Sequence, residues 1–262
     1  DEAFREFEAA FPFEETPDQL KAIDDSLDDL ASGRMMDRLV CGDVGYGKTE
    51  VAMRAAYRAV LDGYQVAVLV PTTVLANQHE ISFKARMSGY PVSIESVSRF
   101  KLPKQQKEIL DRAASGKVDI LIGTHRLLSK YVKFNHLGLV IVDEEHRFGV
   151  EHKEKLKTLK LNAHVITLTA TPIPRTLNMA LSGIRDITIM NTPPANRLPI
   201  KTFVSRYDED LIKRAIETEL ARGGQVFFLH NRVASIERAA ADVVRLVPGA
   251  TVSVAHGQMS ER

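Results

Sequence analysis

The stretch Gly42-Asp43-Val44-Gly45-Tyr46-Gly47-Lys48-Thr49 constrains this chain more than any other, because it meets the spacing G-x-x-x-x-G-K-[ST] at every required position. Its glycines let the backbone turn so that successive N–H groups face an anion, and Lys48 reaches toward terminal phosphates. Thr49 offers a hydroxyl to a magnesium ion. A chance match would lack the right neighbours. Here Leu39-Val40-Cys41 reads as a short buried strand entering the loop, and a helix from about Thr49 to Leu61 leaves it. That helix carries Val51, Ala52, Ala55, Ala56, Ala59 and Val60 toward a core, with Arg54 and Arg58 on its other side. Its N-terminus adds a partial positive charge at the phosphates. The alternative, a glycine-rich turn with a solvated lysine, explains neither flank.

Beyond the loop the pattern alternates. Apolar runs at Val66 to Val70, Val92 to Val97, Ile120 to Ile122, Leu139 to Val142 and Val165 to Leu168 read as strands. Helical segments at Val74 to Met87 and Pro103 to Ser115 separate the first of them. Short apolar runs divided by helices predict a parallel sheet covered on both faces, with ligands at the carboxyl ends of its strands.

Two strand ends carry chemistry. Leu139-Val140-Ile141-Val142 runs straight into Asp143-Glu144-Glu145-His146, which brings carboxylates to the edge where bound phosphates would sit. In such a Walker B arrangement Asp143 holds the magnesium shell, and Glu144 orients and deprotonates the attacking water. The strand ending at Leu168 continues into Thr169-Ala170-Thr171-Pro172, whose hydroxyls either relay between ligands or cap a helix.

Ahead of the loop, Thr16-Pro17-Asp18-Gln19 predicts an N-cap, a first-turn proline and a helix to about Ser32. The Gln19 amide can both donate to and accept from an adenine edge while a phenylalanine covers the base, although a helical glutamine is more often solvated. Phe4, Phe7 and Phe11 recur at helical spacing before Pro12, and the absence of an initial methionine suggests a start inside a longer protein.

The chain has 262 residues and 44% hydrophobic content, enough for one large or two modest cores. No run approaches the roughly 18 apolar residues of a membrane span, and the acidic start lacks signal-peptide features, so a cytoplasmic setting without membrane is expected. Residues 1 to 30 hold 11 acids and 2 bases, leaving 23 acids and 33 bases afterwards, a basic body compatible with a polyanion. Cys41 has no partner for an internal disulfide and is assigned to packing.

The ordered set of the phosphate loop, Pro71-Thr72-Thr73-Val74-Leu75-Ala76-Asn77-Gln78-His79, Gly123-Thr124-His125-Arg126-Leu127, Asp143-Glu144-Glu145-His146-Arg147-Phe148-Gly149 and Thr169-Ala170-Thr171-Pro172-Ile173-Pro174-Arg175-Thr176-Leu177 resembles superfamily 2 helicases. The last two stretches resemble the branch shared by RecG-like helicases and transcription-coupled-repair translocases, and Met36 to Gly45 fits the latter better. The resemblance implies a RecA-like domain followed by part of a second, and an ATP-driven motor on double-stranded DNA. It further implies displacement of stalled RNA polymerase and recruitment of excision-repair proteins, both through regions outside this chain. By the same resemblance adenine recognition falls to Gln19 and Phe13, phosphates to Lys48, magnesium to Thr49 and Asp143, and water activation to Glu144. DNA-backbone contacts fall at Thr72, Thr73, Arg99, Thr124 and His125, for which ordinary capping is the alternative, and His146, Thr169 and Thr171 couple the two sites.

Asn191 to Pro199 holds three prolines and breaks the alternation. The expected division is therefore a nucleotide-binding domain over 1–192, a linker over 193–199 and a second domain from 200 to 262. In the last, strands are expected at Ile200 to Val204, Gln225 to Leu229 and Thr251 to Val254, with helices at Asp208 to Arg222 and Val233 to Leu246. The resemblance places further motifs near His230-Asn231-Arg232 and His256 to Met259, and implies that later motifs, with the arginines that reach across the cleft, lie beyond Arg262. Weak ATP hydrolysis by this chain alone is the matching expectation. Other functions remain in view: a RecG-like branch-migration helicase, a P-loop kinase or GTPase, or a nucleotide-gated docking scaffold without turnover. No Asn-Lys-x-Asp guanine motif is present, which argues against the GTPase.

Overall fold

The computed structural model describes residues 1–145, 148–159, 162–170, 185–195, 197 and 200–259. The chain divides into two units, Asp1–Leu198 and Pro199–Arg262.

In the first unit α1 (Glu2–Ala9) and α2 (Pro17–Ala31) precede β1 (Asp37–Gly42), which feeds the glycine-rich loop and α3 (Lys48–Leu61). Next come β2 (Gln65–Leu69), α4 (Thr73–Arg86), β3 (Ile94–Val97), α5 (Pro103–Ala114) and β4 (Ile120–Gly123), with a 3-10 turn at His125–Leu128. Then follow β5 (Leu137–Asp143), α6 (Val150–Leu159), β6 (His164–Thr169) and β7 (Asp186–Met190). The seven strands form one sheet in the order β3-β4-β2-β5-β6-β1-β7, and every pairing is parallel.

Period-two alternation sorts the strand side chains into two cores. Val66, Val68 and Val70 of the β2 run join Leu139, Ile141, Ile166 and Leu168 under α1 to α4, whereas Ala67, Leu69, Val140, Val142 and Val165 pack on the other face with Ile109 and Ala113 of α5. Each buried Val, Leu or Ile contributes about 1.5–3 kcal/mol, so the sheet is held from both sides. The first unit thus has the α/β, RecA-like layering expected of it.

Since all strands run the same way, their carboxyl ends open on one edge. In sheet order that edge carries Arg99 after β3, Thr124 and His125 after β4, Thr72 and Thr73 after β2, Asp143 and Glu144 at β5, Thr169 at β6, and the glycine-rich loop after β1.

Three features depart from expectation. The edge strand β7 is missing from the hydropathy pattern because its burial runs against hydrophobicity: Thr188 is buried and Ile189 exposed. Polar bonds explain this, since Arg38 Nη1 donates to Thr188 Oγ1 at 2.7 Å and that hydroxyl donates to Asp25 at 2.7 Å. Arg54 does not lie on an outward helix face; it is only 2% exposed.

The third concerns the second unit. Its helices α7 (Glu209–Ala221) and α8 (Ile236–Leu246) form, with Asp208 capping α7 and a small core of Ile216, Val243 and Val247. The three expected strands do not: among the described residues none of these segments is paired. A strand exists only where its N–H and C=O groups meet a neighbour's, and apolar residues alone, here left exposed at Phe227 and Leu229, do not supply that.

Candidate nucleotide and nucleic-acid site

The phosphate loop is shaped by its glycines. Gly45 and Gly47 adopt φ of +81° and +84°, a region closed to most side chains. A Cβ on Gly47 would also overlap the Gln19 amide nitrogen, so two constraints converge there. Lys48 folds over the turn and donates to the Gly42 carbonyl at 2.6 Å and the Asp43 carbonyl at 3.0 Å. The N-cap of α3 is Gly47, with no side-chain cap, so the first-turn N–H groups stay available to an anion.

Burial lowers the Lys48 ammonium below its ordinary value, and the charges of Asp143, Glu144 and Asp43 oppose that. The lysine and the acidic box therefore share one electrostatic environment, although their strands are separated by β6. Glu144 has φ 55°, the one positive value among described non-glycine residues, with its N–H on the Leu168 carbonyl at 3.0 Å. Such a residue costs roughly 1–3 kcal/mol and persists where the surroundings impose it. Neighbouring Glu145 pairs with Arg185 at 2.9 Å, and Arg185 also pairs with Asp37 at 2.9 Å. Thr169 is buried at the end of β6, in register with Cys41 before the loop. His146 and Thr171 lie outside the described residues.

The donor set suits magnesium. Thr49 and Asp143 offer hard oxygens, and magnesium is ordinarily held by one or two carboxylates plus substrate phosphates. No cluster of three or more His, Cys, Asp or Glu ligands occurs among the described residues.

The leader is clamped to the loop. Thr16 and Gln19 form a reciprocal capping box, with Thr16 N–H on Gln19 Oε1 at 2.9 Å and Gln19 N–H on Thr16 Oγ1 at 3.2 Å. Gln19 Nε2 then donates to the Tyr46 carbonyl inside the phosphate loop at 2.8 Å. The amide expected to read adenine thus already braces the loop, with one N–H and one lone pair to spare. Phe13 is 64% exposed and meets Phe11 edge-on at 5.5 Å, free to cover a flat ring.

Behind them, buried Arg54 pairs with Glu8 at 3.5 Å, Glu50 at 3.0 Å, and Glu15. Arg86 of α4 pairs with Glu50 at 2.8 Å and lies 3.8 Å from the Phe7 ring centroid. Burial alone would raise the Glu15 carboxyl, but the Arg54 bond brings it below the usual range. Sequence reasoning missed this network, because a lone arginine every fourth residue looks solvated.

Residues after β7 also reach the site. Asp18 accepts the N–H groups of Asn191 and Thr192, both at 2.7 Å, and Arg197 pairs with Asp43 at 2.6 Å while lying 4.6 Å from the Tyr46 ring centroid.

On the far side of β2 the sheet edge opens into a cleft of about 1100 Å³ that brings Thr72, Thr73, Arg99, Thr124 and His125 together. Arg126, Lys130 and Lys155 join them, unanticipated from sequence, and no carboxylate lines it among the described residues. Thr72 does cap α4, its hydroxyl oxygen accepting the Leu75 N–H at 3.2 Å, which leaves its O–H as a donor; Thr124 makes no capping bond. Hydroxyls and cations without acids suit a phosphate backbone. Between cleft and loop lies His79 of α4, also unassigned from sequence, whose Nε2 is 2.9 Å from Asp143 Oδ2.

Comparison with known proteins matches this architecture. The chain is 61% identical over 261 residues to a transcription-repair-coupling factor of Haemophilus influenzae, covering all of this chain and 23% of that one. It is 60% identical to the transcription-repair-coupling factor of Myxococcus xanthus, covering all of this chain and 22% of that protein. The chain therefore spans under a quarter of the length of these relatives. Among solved structures it is similar to RecG bound to a three-way DNA junction, with TM-score 0.77, 31% identity, 94% of this chain covered and 33% of that chain. No helix among the described residues is long and apolar enough to cross a membrane. The DEAD/DEAH box helicase family matches residues 16–180, a span that begins at the capping threonine and runs past the acidic box and the end of β6, and the chain belongs to that family of superfamily 2 ATP hydrolases.

Proposed function

We propose that this chain is the ATP-driven motor module of a double-stranded DNA translocase in transcription-coupled repair. One observation carries the reading: a single sheet edge holds Lys48, Asp143 and Glu144 in one electrostatic site and, beyond β2, a cation-lined cleft free of carboxylates. The phosphate loop N–H groups and Lys48 bind the polyphosphate, while Thr49 and Asp143 hold the ion. Magnesium, when bound, neutralises charge that develops on the phosphate oxygens. Glu144, fixed by its backbone, orients the attacking water and takes its proton. Gln19 and Phe13 select adenine, and Thr72, Thr73, Arg99, Thr124 and His125 grip the DNA backbone. His146, Thr169 and Thr171 are assigned to coupling. The names of the relatives support a role in coupling transcription to repair; the sequence resemblance extends this to stalled RNA polymerase and excision-repair proteins, which regions outside this chain would contact, in a cytoplasmic setting. Residues 1–192, 193–199 and 200–262 are assigned as first lobe, linker and part of a second lobe.

The test is ATP hydrolysis with and without duplex DNA. Weak turnover with little stimulation by DNA is expected of this chain alone, while duplex DNA of any sequence should bind, with affinity falling steeply as salt rises. Glu144→Gln should retain ATP binding and lose hydrolysis. Absence of DNA binding, or equal binding of ATP and GTP, would overturn the assignment. Full ATP binding without any turnover would instead support a docking scaffold.

The structural likeness to RecG supports a second reading, branch migration at junctions. Displacing a third strand from a duplex without separating a junction favours the translocase; efficient junction unwinding favours this alternative.

A further inference from the structure

His79 stands where α4 passes from the cleft to the acidic box. The helix begins at Thr73 with Thr72 as its cap, and both line the cleft. His79 lies six residues further, about 9 Å along the axis at 1.5 Å per residue. Its ring is buried, with the residue only 6% exposed, beside Phe83 on the same face. Nε2 meets Asp143 Oδ2 at 2.9 Å, whereas Nδ1 is buried without a hydrogen-bond partner. A side chain kept for packing alone would not leave a buried nitrogen unmet, an arrangement that costs about 1–3 kcal/mol. The bond to Asp143 is what the imidazole supplies, and it occupies one carboxylate oxygen while leaving the other.

We propose that His79 is a positioning residue: through its Nε2, helix α4 orients the Asp143 carboxylate for magnesium and ties that orientation to occupancy of the cleft at the helix's other end. This rests on the assignment of Asp143 to magnesium and of the cleft to DNA. The elements are placed for it, since β2, which leads into α4, and β5, which ends in Asp143, are neighbours in the sheet. Partners of ligating side chains typically affect metal affinity 10- to 100-fold.

The test uses the full chain and three variants, His79→Gln, His79→Asn and His79→Leu. A glutamine amide nitrogen falls near the position of Nε2, whereas that of asparagine falls near Nδ1. Binding of a fluorescent ATP analogue is titrated against magnesium, with and without duplex DNA, alongside thermal unfolding. In the unmodified chain DNA should lower the magnesium concentration for half-maximal binding. His79→Asn and His79→Leu should raise that concentration about 10- to 100-fold and abolish the DNA effect, and His79→Gln should restore most of both. The proposal is overturned if the unmodified chain shows no DNA effect on magnesium, or if His79→Asn leaves the magnesium dependence unchanged. It is equally overturned if Gln and Asn fail alike with parallel losses of unfolding temperature, which marks a purely structural role. Should His79→Leu not fold, the Gln and Asn pair still decides. Asp143→Asn separates this from failure of the underlying assignment: if it too leaves magnesium dependence unchanged, Asp143 is not the ligand and the site reading fails first.

Discussion

Glu144 and Gly47 occupy the same kind of backbone space for opposite reasons. At Gly47 the φ of +84° costs nothing, and the missing Cβ also makes room for the Gln19 amide. Gly47→Ala should therefore abolish binding of a fluorescent nucleotide. In a Gln19→Ala background the overlap disappears and only the dihedral strain remains, about 1–2 kcal/mol. The double variant should then recover part of the stability lost by Gly47→Ala; strict additivity by thermal unfolding would mean the overlap is relieved elsewhere. At Glu144 a carboxylate is kept despite φ 55°. Glu144→Ala and Glu144→Gly both remove the base, and each should slow hydrolysis about 10² to 10⁴-fold. The glycine variant sheds the strain and should be more stable than the alanine variant by about 1 kcal/mol. If alanine proves as stable as glycine, the conformation is not strained.

At the scale of elements, the leader and the segment after β7 are both fastened to the phosphate loop, and neither attachment was legible in the sequence. The loop itself, the acidic strand end and the Thr16 capping box were legible, because each is a local pattern whose residues lie within a few positions of one another. Arg54 was not, since its carboxylates come from Glu8, Glu15 and Glu50 on different segments, and β7 was not, since polar bonds to Arg38 and Asp25 replace its hydrophobic signal. Replacing Arg54 with methionine should destabilise the first unit by roughly 3–5 kcal/mol in denaturant unfolding, as expected for a broken buried ion network. A loss under 1 kcal/mol would show that the carboxylates find water or other cations. The Asp18 anchor makes a pH prediction. Hydrogen bonds from the Thr192 and Asn191 backbone hold its carboxyl below the ordinary range. A lowered folded pKa means that the contribution is complete above the unfolded value, about 3.9, and is lost as pH falls through the lower folded one. Exchange of the Asn191 and Thr192 amides should accelerate below about pH 4 relative to intrinsic rates. That step should vanish in Asp18→Asn; its persistence there would assign it to another group.

For the molecule as a whole, the sequence conveyed a layered α/β unit because strand and helix periods alternate plainly there, and overstated the second unit because apolar runs do not reveal whether strands find partners. The two units differ most in their cores. The first holds large clusters on both sheet faces, whereas the second buries Ile216, Val243 and Val247 and leaves Phe227, Leu229 and Val204 exposed. Thermal unfolding of the full chain is therefore expected in two steps, the second unit first. Every residue assigned to nucleotide lies in the first unit, so ligand and magnesium should shift only the upper transition. The stabilisation follows RT ln(1 + [L]/Kd), about 2.7 kcal/mol at one hundred times Kd. Hydrogen exchange supplies the assignment, with α7 and α8 losing protection at the lower step and β1, β2 and β5 at the upper. A single cooperative transition that nucleotide shifts as a whole would contradict this, and would mean that the second unit draws its stability from the first.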